Sequence, residues 1–576
     1  MSWRAEGLAK VQGNAVERLK VKLAVGSALA VLALGSAARA QGAGAGSGPV
    51  DPAQLSATAK VLASDAFEGR APGTPGEAKT IDYLIQRFKA LGLQPGAAGG
   101  SWTQAVPLVR TQIQTPQLGF HDAKGALPMR QGEEIYVNTT RPVERIDIKD
   151  APLVFVGYGV HAPERGWDDF KGVDLKGKIA VFLVNDPDFE AQPGEPVAGK
   201  FGGKAMTYYG RWTYKYEEAA RRGAVGALIV HDTPGAGYGW STVTAPGGEA
   251  YAVAQAPDAA QPVLLQGWLE GHAAAELFKR EGLDLDALRV KARQADFRPV
   301  ALDGLRFDAA AKVGVTHVES HNVLAKLSGS THSDQTVMFG AHWDAYGIGK
   351  PDATGDKIHR GANDDGLGVA GVLEIARAFT HAPRPQRTVV FAIWTAEERG
   401  LLGSEAYAQH PAYPLAKTAG NLTLDVLETA GPSHDVVLIG GGQDSLEQDF
   451  ARAAAKQGRT VTPDAHPEKG LFYRADHFSV AKRGVPTLLL MALGGGPDLV
   501  TGGREAGDKW VNDYTARCYH QPCDAWSADW DLRGAAQDVD LIYDVGAHLA
   551  NSREWPSWNA GSEFKAVRAQ SAAERK

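Results

Sequence analysis

Apolar residues recur at two different spacings along the chain, and the changes between them mark its segments. Between residues 52 and 94 the spacing is helical; the clearest run is EAKTIDYLIQRFKAL, Glu77 to Leu91, which Gly92 closes. From Ala151, APLVFVGYGV predicts a strand, and DLKGKIAVFLVND predicts a turn followed by a strongly apolar strand. RWTYKYEEAARRGA then predicts a helix ending at Gly223, and VGALIVHD another strand. From about residue 315, HNVLAKLSG, TVMFGAHWD, RTVVFAIWTAEE, NLTLDVLE and VPTLLLMA read as strands, with LGVAGVLEIARAFTH and LLGSEAYAQH as helices. This alternation predicts an α/β fold with a mostly parallel central sheet flanked by helices on both faces. Ligands of such sheets gather beyond the carboxyl ends of the strands.

Composition narrows the function classes. The chain has 576 residues, 44% hydrophobic and 22% charged, which excludes a mainly disordered, collagenous or coiled-coil protein. A net charge of -7 gives no electrostatic footprint for nucleic acid. Arg18, Lys20 and Lys22, the apolar run Leu23 to Leu34 and Ala38-Arg39-Ala40 have the order of a secretory signal, cleaved before Gln41. The apolar run is too short for a bilayer-spanning helix, so the expectation is a periplasmic or secreted protein without stable membrane insertion. Cys518 and Cys523 exclude a cysteine-rich metal site, and their spacing allows one small-loop disulfide around His520 or two free thiols. The sequence fixes no oligomeric state.

The candidate chemistry sits where predicted strands end. His342 and Asp344 close one strand and share a face. Asp344 is therefore placed to hold one ring nitrogen of His342 while the other meets a metal. Asp364 and Asp365 lie in a Gly-rich turn entering a helix, where a carboxylate can bridge two cations. Glu397 and Glu398 follow another strand; being adjacent they diverge, so one can bind metal and its neighbour reach a bound water. Asp425 ends a fourth strand, and His520 lies in the CYHQPCDAW loop. Three carboxylates and two imidazoles suit zinc, with cobalt or manganese as substitutes. They exceed one four-coordinate zinc with a water and match two zincs sharing a carboxylate. No G-x-S-x-G elbow follows a strand.

His342-x-Asp344, Gly361-Ala362-x-Asp364-Asp365, Ala396-Glu397-Glu398-x-Gly400 and Tyr519-His520 resemble the co-catalytic zinc aminopeptidase family, which includes the glutamate carboxypeptidase and transferrin receptor branch. The likeness spans roughly residues 52–145 and 300–555, and GKIAV…EEAARRGAVGALIVHD resembles a protease-associated domain. The resemblance implies a zinc exopeptidase fold with a β-rich α/β insert. The segments are then 1–40 signal peptide, 41–147 N-terminal peptidase part, 148–300 insert, 301–560 catalytic domain and 561–576 tail. It implies Asp364 as the bridge between two Zn²⁺, His342 and Asp425 on one ion, and Glu398 and His520 on the other. Glu397 is the implied general base, Asp344 the orienter, and Tyr519 a candidate donor to the oxyanion. Asp425 has a rival three residues on in Glu428, and Asn363 stands where many relatives have Asp. His477 is read as a pocket residue. Trp343, Tyr346 and Phe472 could line a side-chain pocket, and His359, His434 and His466 are read as solvated.

The expected activity is release of N-terminal residues from peptide substrates. The alternatives are a glutamate-carboxypeptidase-like dipeptidase or amide hydrolase, for which Arg474 is a possible carboxylate contact, and a non-catalytic receptor-like binding protein.

Overall fold

The computed structural model describes residues 48–256 and 259–575; the signal segment 1–40 and its cleavage point lie outside the described residues. Asp51 caps helix α1 (Pro52–Leu62), its carboxylate accepting the Ala53 amide, with Pro52 at the position where no amide is needed. Helix α2 (Pro75–Ala90) stops where Gly92 turns to φ +73°, a conformation that favours glycine.

Two long strands follow at a distance from each other: β1 (Thr103–Asp122) and, after the middle of the chain, one spanning Val300–Leu327. Between them lie β2 (Ile135–Asn138), β3 (Arg145–Phe155), β4 (Ile179–Leu183), helix α3 (Trp212–Arg221), β5 (Gly226–Val230), β6 (Leu265–Leu269) and helix α4 (Gly271–Arg280). Strands β3, β4, β5 and β6 run parallel. Every residue of β4 and β5 is buried, because apolar side chains cover both faces. Phe155, Leu228, Phe278 and Phe307 pack on one side; Val154, Phe182 and Ile229 pack on the other.

The strand Val300–Leu327 is β7, and only its end was legible as HNVLAKLSG. Over Arg306–Val323 it pairs antiparallel with β1, forming a ribbon whose half-exposed residues carry a weak apolar signal. Its start pairs with β3 and its end, Val323–Leu327, with the C-terminal half. That half contains β8 (His332–His342), α5 (Gly368–His381), β9 (Arg387–Trp394), α6 (Leu402–Gln409), β10 (Thr418–Leu424), α7 (Leu446–Lys456), β11 (Thr487–Leu490), α8 (Gly503–Arg517) and α9 (Arg533–Asn551).

One 14-stranded sheet therefore carries the path β11-β10-β8-β9-β7-β3-β4-β5-β6-β2. It is parallel within each half and antiparallel where β7 joins the halves and where β2 pairs with β6. The architecture is α/β with a large central sheet flanked by helices. The apolar core of the C-terminal half gathers Leu55 and Phe88 from the N-terminal helices with Phe339, Phe391, Leu422 and Val539. Among the described residues no helix is long and apolar enough to cross a membrane.

Candidate metal centre

Strands β8, β9 and β10 are adjacent and parallel, with His342 in register with Trp394 and Gly340 opposite Thr423. Their carboxyl ends therefore deliver His342, the Glu397–Glu398 pair and Asp425 to one edge of the sheet. Turns at that edge aim the side chains: Ala396 has φ +52°, Val426 φ +52° and His520 φ +62°. Non-glycine residues are rare in this left-handed region, and a β-branched valine is the costliest of the three. Each flanks or is a member of the cluster, so the strain lies where side-chain direction matters most.

The loop Ala362–Leu367 brings Asp364 between the two histidines. His342 Nε2 lies 3.1 Å from Asp364 Oδ1, and His520 Nε2 lies 3.2 Å from Asp364 Oδ2. His520 Nε2 is also 3.2 Å from Glu398 Oε2, while Asp425 Oδ1 stands 3.9 Å from His342 Nε2. Two donor groups result, His342–Asp364–Asp425 and Asp364–Glu398–His520, which share Asp364. Glu428 joins neither; its Oε1 accepts the Ala430 amide.

Asp344 acts differently from the sequence reading. The ring Nδ1 of His342 donates to the backbone carbonyl of Asp344 at 3.1 Å, while the carboxylate is 3.6 Å away. That carboxylate accepts the amides of Glu397 and Glu398, at 3.0 and 3.4 Å. Asp344 thus positions the glutamate pair with its side chain and the imidazole with its main chain, because the turn after β8 points its side chain at β9. Tyr519 stacks on His520, ring centroids 3.7 Å apart. Burial, with Asp364, Glu398 and Asp425 nearby, pushes its hydroxyl far above the usual phenol range, so it remains a donor. A disulfide joins Cys518 and Cys523 around the His520 loop, with Cα atoms 5.0 Å apart.

Several supporting residues escaped the sequence reading. Arg70, fully buried, donates to the carbonyls of Leu62, Trp343, Arg360 and Gly361, tying the β8 end to the Asp364 loop. Asp524 accepts the amides of Asn363 and Asp364, both at 3.0 Å. Asp365 accepts the His342 amide at 3.1 Å. His520 Nδ1 faces the Tyr346 hydroxyl at 3.3 Å, and its carbonyl accepts from His359 Nδ1 at 3.0 Å. His359 is therefore half-buried against the cluster rather than solvated, whereas His434 and His466 are exposed. Trp343 and Phe472 belong to apolar cores, and His477 packs behind Phe472 at 4.8 Å, outside the cluster. Asp476, buried beside Glu397 and Asp425, adds a further carboxylate.

So many buried acids require compensating positive charge. Burial pushes Glu397 and Glu398 well above the usual carboxylate range and Asp425 up to about 7. Burial also opposes ionisation of Asp364, yet the hydrogen bond from His342 and the His520 imidazole facing its other oxygen hold it well below that range. The donor set fits divalent cations: it is two imidazoles and three carboxylates, one of them facing both groups.

Residues 322–543 match the family model described as Peptidase family M28. Leupeptin-inactivating enzyme 1 of Streptomyces exfoliatus is 30% identical over 210 residues, which are 36% of this chain and 43% of that protein. A Vacuolar membrane protease of Clavispora lusitaniae is 28% identical over 184 residues, 32% of this chain and 16% of that protein. The chain spans less than half the length of these curated relatives. An aminopeptidase from Aneurinibacillus sp. strain AM-1 superposes with a TM-score of 0.45 at 20% identity, over 88% of this chain and 96% of that one.

Proposed function

We propose, from the premise that residues 322–543 belong to peptidase family M28, that the chain is a zinc-dependent exopeptidase that removes N-terminal residues from peptides. The observation that carries this reading is the single carboxylate of Asp364, with one oxygen toward His342 and the other toward His520. That arrangement supports two ions, one held by His342, Asp364 and Asp425 and the other by Asp364, Glu398 and His520. When bound, zinc supplies a water of lowered pKa and polarises the scissile carbonyl.

The protein's own groups do the remaining work. Glu397 Oε2 faces the cluster, 3.9 Å from His342 Nε2, while its neighbour Glu398 turns toward His520. Glu397 takes the proton of the attacking water and passes it to the leaving amine, a role typically worth about 10²–10⁴-fold in rate. The protonated Tyr519 hydroxyl is available to the developing oxyanion. Asp476 and Asp425 provide anionic surroundings for a substrate α-ammonium. The Cys518–Cys523 bridge accords with an exported protein working in an oxidising compartment, as the N-terminal signal pattern suggests.

Metal analysis combined with peptide hydrolysis tests the proposal. Two zincs per chain are expected, with activity lost to a chelator and restored by zinc, and with free-amine peptides cleaved in preference to amine-blocked ones. A metal-free protein that cleaves peptides in the presence of chelator would overturn it.

A further inference from the structure

Both candidate histidine ligands turn Nε2 toward Asp364 and leave Nδ1 for an anchor. For His342 the anchor is close in sequence, the Asp344 carbonyl at 3.1 Å. For His520 it lies 174 residues away: Nδ1 is 3.3 Å from the Tyr346 hydroxyl, its partner among the described residues. A ring nitrogen that binds metal is unprotonated, so the proton sits on the other nitrogen. Whatever accepts that proton sets the tautomer and the direction of the ring. A phenol oxygen is a competent acceptor.

His520 needs such a grip more than His342 does. Its backbone is left-handed, φ +62°, and its side chain is 31% exposed, against 1% for His342. The grip comes from one hairpin, in which Gly347 pairs with His359 and Ile348 with Ile358. Tyr346 and His359 therefore stand at its two ends. Tyr346 meets the imidazole, and His359 Nδ1 donates to the His520 carbonyl at 3.0 Å. The ends of the hairpin are themselves fixed. Gly347, at φ +77°, packs so closely that a Cβ there would meet Ala71 at 2.6 Å. Arg70 donates to the carbonyls of Trp343 on one side and of Arg360 and Gly361 on the other. The Arg399 guanidinium stands 5.0 Å from the centre of the Tyr346 ring, and the His520 ring 4.9 Å from it. Tyr346, His359, Asp364, Glu398 and His520 line one small cavity.

We propose that Tyr346 is the positioning residue of His520: its hydroxyl accepts the Nδ1 proton and so holds Nε2 toward Asp364 and Glu398. This role rests on the two-ion reading and deepens it. The half-site of Asp364, Glu398 and His520 takes its geometry from a residue outside the donor set, while His359 holds the same loop by its main chain.

Tyr346→Phe keeps the ring and removes the acceptor. Metal-free wild type and variant are titrated with Zn²⁺ against a chromophoric chelator, and with Co²⁺, whose visible spectrum reports ligand geometry. Wild type should take up two equivalents. In the variant one equivalent should keep its affinity while the other weakens about 10–100-fold, the usual effect of losing such a partner. The Co²⁺ spectrum should change for that equivalent alone. Zinc affinities within twofold of wild type and an unchanged Co²⁺ spectrum in the folded variant would overturn the role. Equal weakening of both equivalents would overturn it too, since a merely structural tyrosine acts on the whole site. If the variant does not fold, zinc-loaded wild type labelled with ¹⁵N-histidine decides: the His520 Nδ1 proton should exchange slowly with solvent, and rapid exchange counts against the role. A wild type that binds fewer than two zincs fails the two-ion reading itself, and the role falls with it.

Discussion

Glu397 and Glu398 are neighbours in sequence with separate tasks, because successive residues leaving a strand point apart. Glu398 Oε2 meets His520, while Glu397 faces the cluster without joining either donor group. Replacing Glu397 with Gln should lower kcat by about 10²–10⁴-fold while both zincs remain bound, checked by single-turnover kinetics and metal analysis. His520→Ala should instead cost one zinc equivalent. Arg70 makes a structural prediction at the same scale. Its guanidinium satisfies four buried carbonyls, so Arg70→Met should destabilise the fold by at least about 2 kcal/mol, read as a lower urea midpoint. Which of the two adjacent glutamates turns toward His520 goes with a left-handed Ala396, and no residue-type rule predicts that conformation for alanine.

At the scale of elements, the His520 loop is short and bridged, and it carries both a candidate ligand and Asp524, which holds the Asp364 amide. Reduction of the bridge, or Cys518→Ser with Cys523→Ser, should weaken zinc binding at the His520 half of the site more than at the His342 half. Zinc titration of each form measures this. Asp444 links α7 to β11, accepting the amides of Leu446 and Thr487. Burial raises its carboxyl from the ordinary value of 3.8 to about 7. The folded state therefore holds an extra proton between those values, and its stability falls as pH rises through that window. Asp444→Asn removes this slope, so its melting temperature should gain on wild type between pH 5 and pH 8. The helical run at Glu77–Leu91 and the apolar strands of the C-terminal half were readable because their periods are strong. Ribbon β1–β7 was not, since pairing between positions about two hundred residues apart leaves no local signature.

For the whole molecule, the shared sheet has a consequence for folding. Strand β7 is hydrogen-bonded to β9 at its end and to β3 at its start, so the halves have no free edge where they meet. The apolar core of the C-terminal half also needs Leu55, Leu62, Leu84 and Phe88, which lie far upstream of the family-matching segment. Residues 322–543 expressed alone should therefore lack a cooperative melt, whereas the longer chain should unfold with its two halves coupled. Calorimetry of both distinguishes the cases.

The sequence by itself determined the chemistry: which strands end in His or acidic residues, how many ligands are available, and that they are hard or borderline donors. Those properties reside in residue types and short periods, which survive without a fold. Only the tertiary structure decided how they are used. The parallel register of β8, β9 and β10 sets the candidate ligands side by side, and Asp344 turns its carboxylate to the glutamate amides. Both depend on long-range packing and left-handed turns, whose energies come from neighbours distant in sequence.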